Sequence, residues 1–346
     1  MNKCTNGRVP KFAWVAAVVL LSALLSSSAI SDEPLRIGMV GLDTSHAPAF
    51  TKLLNATDAK GALARMRVVA AFPGGSDDIE SSHTRVAGFT QDLRELGVEM
   101  FDSVEAMLPN VDAVLLESVD GRKHLEQVLP VLKARKRVFI DKPLAGNLSD
   151  AIAIDLLSKK YDSPWFSSSS LRFSPSIAQY RESGASKVLG ASAWSPCSLE
   201  PSHTDLFWYG IHGVETLYTA MGTGCQQVTR IHTEGTDLTV GVWDNGRVGV
   251  HRGIREGKSG YGLVVFGDKA IDVGGKYEGY APLVDRIADF FLGGEAPVST
   301  DETLELLTFM QAADDSKAAG GVPVKLADTW KTALAAAQQK VAKLDP

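Results

Sequence analysis

The run LRIGMVGL at 35–42 decides how this chain is read. Apolar side chains fill it without alternation, as in a strand buried on both faces, and a glycine ends it where a sharp turn is needed. HAPAFTKLLNA then opens as a helix. The same pair of patterns recurs down the first half of the chain. RMRVVAAF (65–72) reads as a second strand stopped by Pro73-Gly74-Gly75, followed by the amphipathic TRVAGFTQDLRELG and the short helix SVEAMLPN. VDAVLLES (111–118) is a third strand before the helical HLEQVLPVLKAR, and RVFIDKP (137–143) is a fourth before SDAIAIDLLSKKY. PWFSSSS supplies a fifth. Such alternation predicts an α/β, Rossmann-like doubly wound parallel sheet over 32–169, whose ligands sit beyond the carboxyl ends of the strands.

The pattern changes after about residue 170. ASKVLGASAWS, QVTRIHTEG, DLTVGVWDNGRVGVHRG and YGLVVFGDKAIDVGG read as successive strands, with Asp244-Asn245-Gly246 placed as a hairpin turn. FWYGIHGVETLYTAMG is a helix set among them. YAPLVDRIADFFLGG, STDETLELLTFMQAADDSKAAGG and the alanine-rich TWKTALAAAQQKVAKL are late helices. Residues 170–346 are therefore expected to form an α+β domain with an open, mostly antiparallel sheet and helices on one face.

The 346 residues are 45% hydrophobic with a formal net charge of -6, enough apolar material for two cores and no footprint of a general nucleic-acid binder. At the amino terminus Lys3, Arg8 and Lys11 precede an uncharged apolar stretch and a run of small residues. That layout predicts a signal peptide over residues 1–31, with a periplasmic or extracellular mature protein; the alternative is an uncleaved membrane anchor, for which the apolar core is short against a span of about 30 Å. No twin-arginine pair is present. Cys197 and Cys225 would remain after cleavage, as a disulfide or as two buried thiols. The seven histidines are dispersed and no cysteine-histidine cluster has zinc spacing, so no metal is expected.

Several motifs in order resemble the Gfo/Idh/MocA oxidoreductase family. RIGMVGLDTSH stands where that family has its dinucleotide fingerprint. RVFIDKPLAGNLSDA resembles the segment around its Glu-Lys-Pro motif, here Asp141-Lys142-Pro143. SLRFSP resembles the opening of its second domain, and GIHGVETLYTAMG the helix bearing its catalytic histidine, here His212. The closing order of helix, Gly-Gly, Pro-Val-Ser, acidic helix and Gly-Gly-Val-Pro-Val also agrees. The resemblance implies NAD or NADP as cofactor and Lys142 and His212 as the catalytic pair. It further implies nucleotide contacts from Gly41, Asp43, Thr44, Ser45 and His46, from Phe72 and Pro73, from Glu117 and Ser118, and from Asp141 and Lys142. A small carbohydrate-like substrate would meet Arg172, His203, Asp205, Trp208, Tyr209 and Glu215. A homo-oligomer through the second sheet is also implied.

The chemistry of these residue types agrees. Moving hydride from a carbinol carbon needs an acceptor for the hydroxyl proton and positive charge beside the growing carbonyl oxygen. A lysine at a strand end and a histidine from the other domain meet those needs.

Three departures stand out. Of the fingerprint Gly-x-Gly-x-x-Gly only Gly41 survives, and Asp43 brings a carboxylate toward the phosphates unless it caps the helix, which is the expectation. The second strand ends in Pro73 instead of an acidic ribose ligand, with no arginine immediately beyond. Trp208 replaces an aspartate four residues before His212, so Glu215 or Asp205 is expected to orient the imidazole. Trp208 and Tyr209 then form a stacking wall, with Phe207 in the core. The leading expectation is an NAD(P)-dependent oxidoreductase acting on a sugar or polyol hydroxyl. An NAD-assisted glycosidase or lyase, and a binding protein on the same fold, are the alternatives.

Overall fold

A computed structural model describes residues 33–181 and 187–345. The signal-peptide segment lies outside them. Strands β1 (Leu35–Val40), β2 (Met66–Phe72), β3 (Glu99–Met100), β4 (Ala113–Leu116), β5 (Arg137–Ile140) and β6 (Trp165–Phe166) form a parallel sheet in the order β3-β2-β1-β4-β5-β6. The order reverses beside β1, so the crevice between the β1 and β4 loops is the topological switch point where such sheets bind ligands. All five strands expected from the sequence are present. The additional two-residue β3, pairing with Ala70 and Ala71, is too short and too polar to announce itself.

Helices α1 (His46–Leu54), α2 (Glu80–His83), α3 (Val86–Glu95), α4 (Val104–Met107), α5 (His124–Lys133) and α6 (Leu148–Tyr161) connect these strands. Gly41 explains why one fingerprint glycine had to stay. Its φ is +86°, and a Cβ there would stand 2.4 Å from the Ser118 backbone nitrogen.

A short helix α7 (Pro175–Ala178) leads to the second sheet, built from β7 (Val188–Pro196), β8 (Cys225–His232), β9 (Thr236–Trp243), β10 (Val248–Ile254), β11 (Gly262–Gly267), β12 (Ile271–Gly274) and β13 (Val324–Lys325). Its order is β12-β11-β7-β10-β9-β8-β13, antiparallel except for the β7–β10 pair. The expected hairpin joins β9 to β10, with Gly246 at φ +78°. Helices α8 (Ile211–Met221) and α10 (Thr300–Ala318) cover one face. Cys197 and Cys225 are buried free thiols.

Two late helices return to the first sheet. α9 (Ala281–Phe291) puts Leu283, Ile287 and Phe290 into a core with Ile37, Met39, Phe139 and Phe166. α11 (Leu326–Leu344) packs along α6. Among the described residues no helix is long and apolar enough to cross a membrane.

Candidate active site

The loops at the carboxyl ends of β1, β4 and β5 face the start of α8 across a cavity of about 630 Å³. Thr44, Ser45 and His46 line it from the amino end of α1, and Lys142 lines it from just beyond β5. His212 lines it from the first turn of α8, and Trp208 and Tyr209 from the turn before. That turn, Leu206–Gly210, is a π-helix. The wider coil lets two successive aromatics face the cavity while Phe207 stays in the core.

Lys142 Nζ lies 6.0 Å from the centre of the Tyr209 ring. The His212 ring meets Tyr209 edge-on at 4.9 Å, and its Nδ1 lies 2.8 Å from Ser169 Oγ. Burial, aided by the positive charge of Lys142, holds the His212 imidazole well below its usual pKa. It is a neutral base at pH 7.

The residues expected to orient His212 act otherwise. Glu215 is buried, accepts from Ser168 Oγ at 2.5 Å and from the Ser169 amide at 2.8 Å, and so fixes the loop that presents Ser169. Ser169, not Glu215, touches the imidazole. Asp205 is turned away toward Arg230 and Lys317. Arg172, expected at the substrate, is 2% exposed and spans Glu215 and Glu302 in the protein interior. Its guanidinium is committed to these two carboxylates, the second of which Arg181 also holds. His203 lies 3.0 Å from Asp120 and packs against Trp208 with the rings tilted and their centres 4.8 Å apart, supporting the cavity wall without lining it.

The nucleotide residues divide similarly. Asp43 is not a helix cap: the cap position is Ser45, without a side-chain hydrogen bond. The Asp43 carboxylate is fully buried and accepts from Ser82 Oγ at 2.6 Å and from the Val119 amide at 2.9 Å. It ties the β1 turn to the loops after β2 and β4, and its charge is turned out of the cavity. Phe72 and Pro73 act through their carbonyls, which accept from the amides of Gly41 and Leu42 at 2.9 and 2.8 Å. Ser118 donates to Gln127, and the next residue, Val119, reaches the cavity. Glu117 and Asp141 lie beside His46.

Sequence reasoning missed Tyr261, Tyr277 and Tyr280, which complete the wall. Tyr261 and Tyr209 have hydroxyls 3.3 Å apart, and the Tyr280 hydroxyl is 3.4 Å from Ser45 Oγ. The signal was there in KYEGY, two large aromatics in a short polar loop between strand and helix. Arg85, at the start of α3, was missed as well and lines the far end.

Residues 35–166 match the oxidoreductase family with an NAD-binding Rossmann fold, GFO_IDH_MocA. That segment carries the family's NAD-binding domain. Within a segment of 82 residues it is 37% identical to the myo-inositol 2-dehydrogenase of Thermotoga maritima, a match spanning 24% of each protein, so it reaches about a quarter of that relative's length. The scyllo-inositol dehydrogenase of Lactobacillus casei, solved with NAD(H) and scyllo-inositol, superposes with a TM-score of 0.69 at 13% identity, over 85% of this chain and all of that one. The myo-inositol dehydrogenase of the same organism, solved with NAD(H) and myo-inositol, gives 0.66 at 17% identity, over 84% and 96%. Both likenesses establish the shared two-domain fold.

The site accommodates what the Gfo/Idh/MocA fold implies. With Asp43 turned onto Ser82 and Val119, no carboxylate at that position opposes a pyrophosphate, and the amino end of the nine-residue α1 opens on the cavity beside Thr44 and Ser45.

Proposed function

We propose that the chain is an NAD(P)-dependent oxidoreductase acting on a hydroxyl of a sugar, polyol or related carbohydrate. One observation carries this: Lys142, just beyond β5, and His212, in the first turn of α8, line one cavity, and the histidine is held neutral. A bound nicotinamide would supply the hydride acceptor. Thr44, Ser45 and the start of α1 would hold its phosphates. With Nδ1–H donated to Ser169 Oγ, His212 presents Nε2 as the base that takes the hydroxyl proton. The Lys142 ammonium stabilises the developing alkoxide. Trp208, Tyr209 and Tyr261 offer faces on which a saturated ring can stack.

The test is to release and identify any dinucleotide carried by the natively purified chain, then to follow NAD(P)H formation with a panel of inositols and aldoses. Turnover supports the proposal. Dinucleotide held stoichiometrically without net turnover points to the internally recycled glycosidase or lyase scheme. Failure to bind either dinucleotide refutes it in favour of a binding protein.

Two lesser readings belong with it. The amino-terminal layout supports export, checked by sequencing the amino terminus of secreted material. The open face of the second sheet exposes Ile231, Ile271 and Val273 by 60%, 68% and 75%, which supports self-association there, checked by sedimentation velocity.

A further inference from the structure

Three side chains that no motif connects converge beside the cavity. His46 opens α1, Glu117 follows β4 and Asp141 follows β5. One donor atom from each lies within 4.8 Å of the others. His46 Nδ1 is 2.8 Å from Asp141 Oδ2 and 3.7 Å from Glu117 Oε2. The carboxylates are sealed from solvent, Glu117 at 0% exposure and Asp141 at 1%.

Their hydrogen bonding does not close. Among the described residues, no donor serves either oxygen of Glu117 or Oδ1 of Asp141, and His46 Nδ1 makes no aligned hydrogen bond despite its closeness to Asp141. An imidazole offers one hydrogen on that nitrogen, and three carboxylate oxygens need satisfying. Buried polar groups are rarely left so, and a bound ion is one of the standard resolutions. His46 Nδ1 and Glu117 Oε2, 3.7 Å apart, stand near the roughly 3.3–3.6 Å that separates ligands of a tetrahedral ion with bonds of about 2.0–2.2 Å, and the His46–Asp141 pair, at 2.8 Å, has to open by about 0.5–0.8 Å to reach it. One imidazole nitrogen and two carboxylates form a borderline donor set, suited to zinc and its neighbours more than to magnesium or calcium.

We propose that His46, Glu117 and Asp141 form a three-ligand site for a divalent transition-metal ion, with Zn²⁺ the preferred occupant. A dication with two carboxylates and a neutral imidazole is a net-neutral group, compatible with the Lys142 ammonium on the next residue. Three protein ligands leave a fourth position for water or a ligand oxygen, and His46 itself borders the cavity. The competing arrangement, an imidazolium held between the carboxylates with a water molecule, keeps its proton in place of the ion and predicts no saturable zinc binding at neutral pH. The proposal stands apart from the redox reading, because metal binding is measured without dinucleotide or substrate.

The untagged full chain, stripped with chelator, is titrated calorimetrically with ZnCl₂ and separately with MnCl₂ at neutral pH. One zinc ion per chain is expected, bound more tightly than manganese and with proton release that grows as the pH is lowered. Glu117→Gln and His46→Gln should each weaken zinc binding at least 100-fold, with folding checked by circular dichroism. His83→Gln, at an exposed pairing with Asp77, should bind as the native chain does. Absence of saturable zinc binding overturns the proposal, and so does unchanged affinity in Glu117→Gln and His46→Gln. Should both variants fail to fold, anomalous scattering at the zinc edge from crystals of the native chain decides. A peak bonded to all three residues supports the site, and its absence there refutes it.

Discussion

Asp43→Ala offers a direct measure of what the altered fingerprint does. The native carboxylate accepts two hydrogen bonds, from Ser82 Oγ at 2.6 Å and the Val119 amide at 2.9 Å, at 0% exposure. Hydrogen bonds to a charged acceptor are worth about 1.5–3 kcal/mol each, and truncation leaves both donors buried and bare. Against this stands the cost of burying the carboxylate, which already raises its pKa above the usual range despite those donors. The balance is a loss of about 3 kcal/mol for alanine and about 1 kcal/mol for asparagine, which keeps one acceptor. Glycine should be more damaging than alanine. From sequence alone Asp43→Gly looks neutral or helpful to nucleotide binding, because it removes negative charge and frees the backbone. Yet Asp43 is not among the positive-φ residues, so glycine relieves no strain and adds unfolded-state entropy worth about 0.4–1 kcal/mol. It also releases Val119 from its place on the cavity wall, so dinucleotide affinity should fall. Urea unfolding followed by tryptophan fluorescence and by circular dichroism gives the stability change where the two transitions coincide. Stability of Asp43→Ala within about 0.5 kcal/mol of the native chain would refute the reasoning, since ordinary surface substitutions do no more than that.

Other expectations follow from the same site. Lys142→Met and His212→Gln should each lower kcat by about 10²–10⁴, with the double variant far less impaired than their product because the pair acts on one hydroxyl; multiplicative losses would separate their roles. Ser169→Ala should lower kcat about tenfold, as expected for removing a hydrogen-bond partner that orients an essential imidazole, while KM changes little; an equal rise in KM would mean that Ser169 serves substrate binding instead. NMR titration of His212 should show its pKa below the usual 6.5 and rising toward it in Lys142→Met, since that change removes a positive neighbour; no movement would place the lysine charge elsewhere. His251, fully buried, is held neutral with its pKa pushed down to about 4 by burial. A group depressed from 6.5 to about 4 contributes stability that is complete above pH 6.5 and lost as the pH falls to about 4, worth about 3 kcal/mol. The stability of His251→Gln should vary less with pH across that window, and an identical pH dependence would show that other groups govern it.

The parallel sheet was legible because its strands are doubly buried: runs such as AVLL and RVFI have no other good use in a domain of this size. The π-turn at Leu206–Gly210 was not, because helical periodicity looks the same with one extra residue in a turn. Lys142 and His212 reached the cavity as expected, since each sits at an element end whose position the topology dictates. Arg172, Asp205 and Glu215 were misjudged for a common reason. Sequence spacing shows which residues share a helix face, but not which distant charge will claim them. Glu302 and Arg230, 130 residues from Arg172 and 25 from Asp205, made those claims.

The same blindness hid the logic of the lost glycines. Read along the chain, Asp43 and His46 are two failures of one fingerprint. In the folded protein each is matched by a partner from another loop: Asp43 by Ser82 and Val119, His46 by Glu117 and Asp141, with its ring stacked on Phe50 at 5.2 Å and edge-on to Tyr280 at 4.7 Å. A glycine at 43 would leave two donors bare, and a glycine at 46 would remove the imidazole that stands beside two buried carboxylates. The substitutions therefore belong to a set that includes Ser82, Glu117 and Tyr280. The turn is rebuilt around side chains where the usual motif relies on bare backbone, and restoring the usual glycines one at a time should weaken the site.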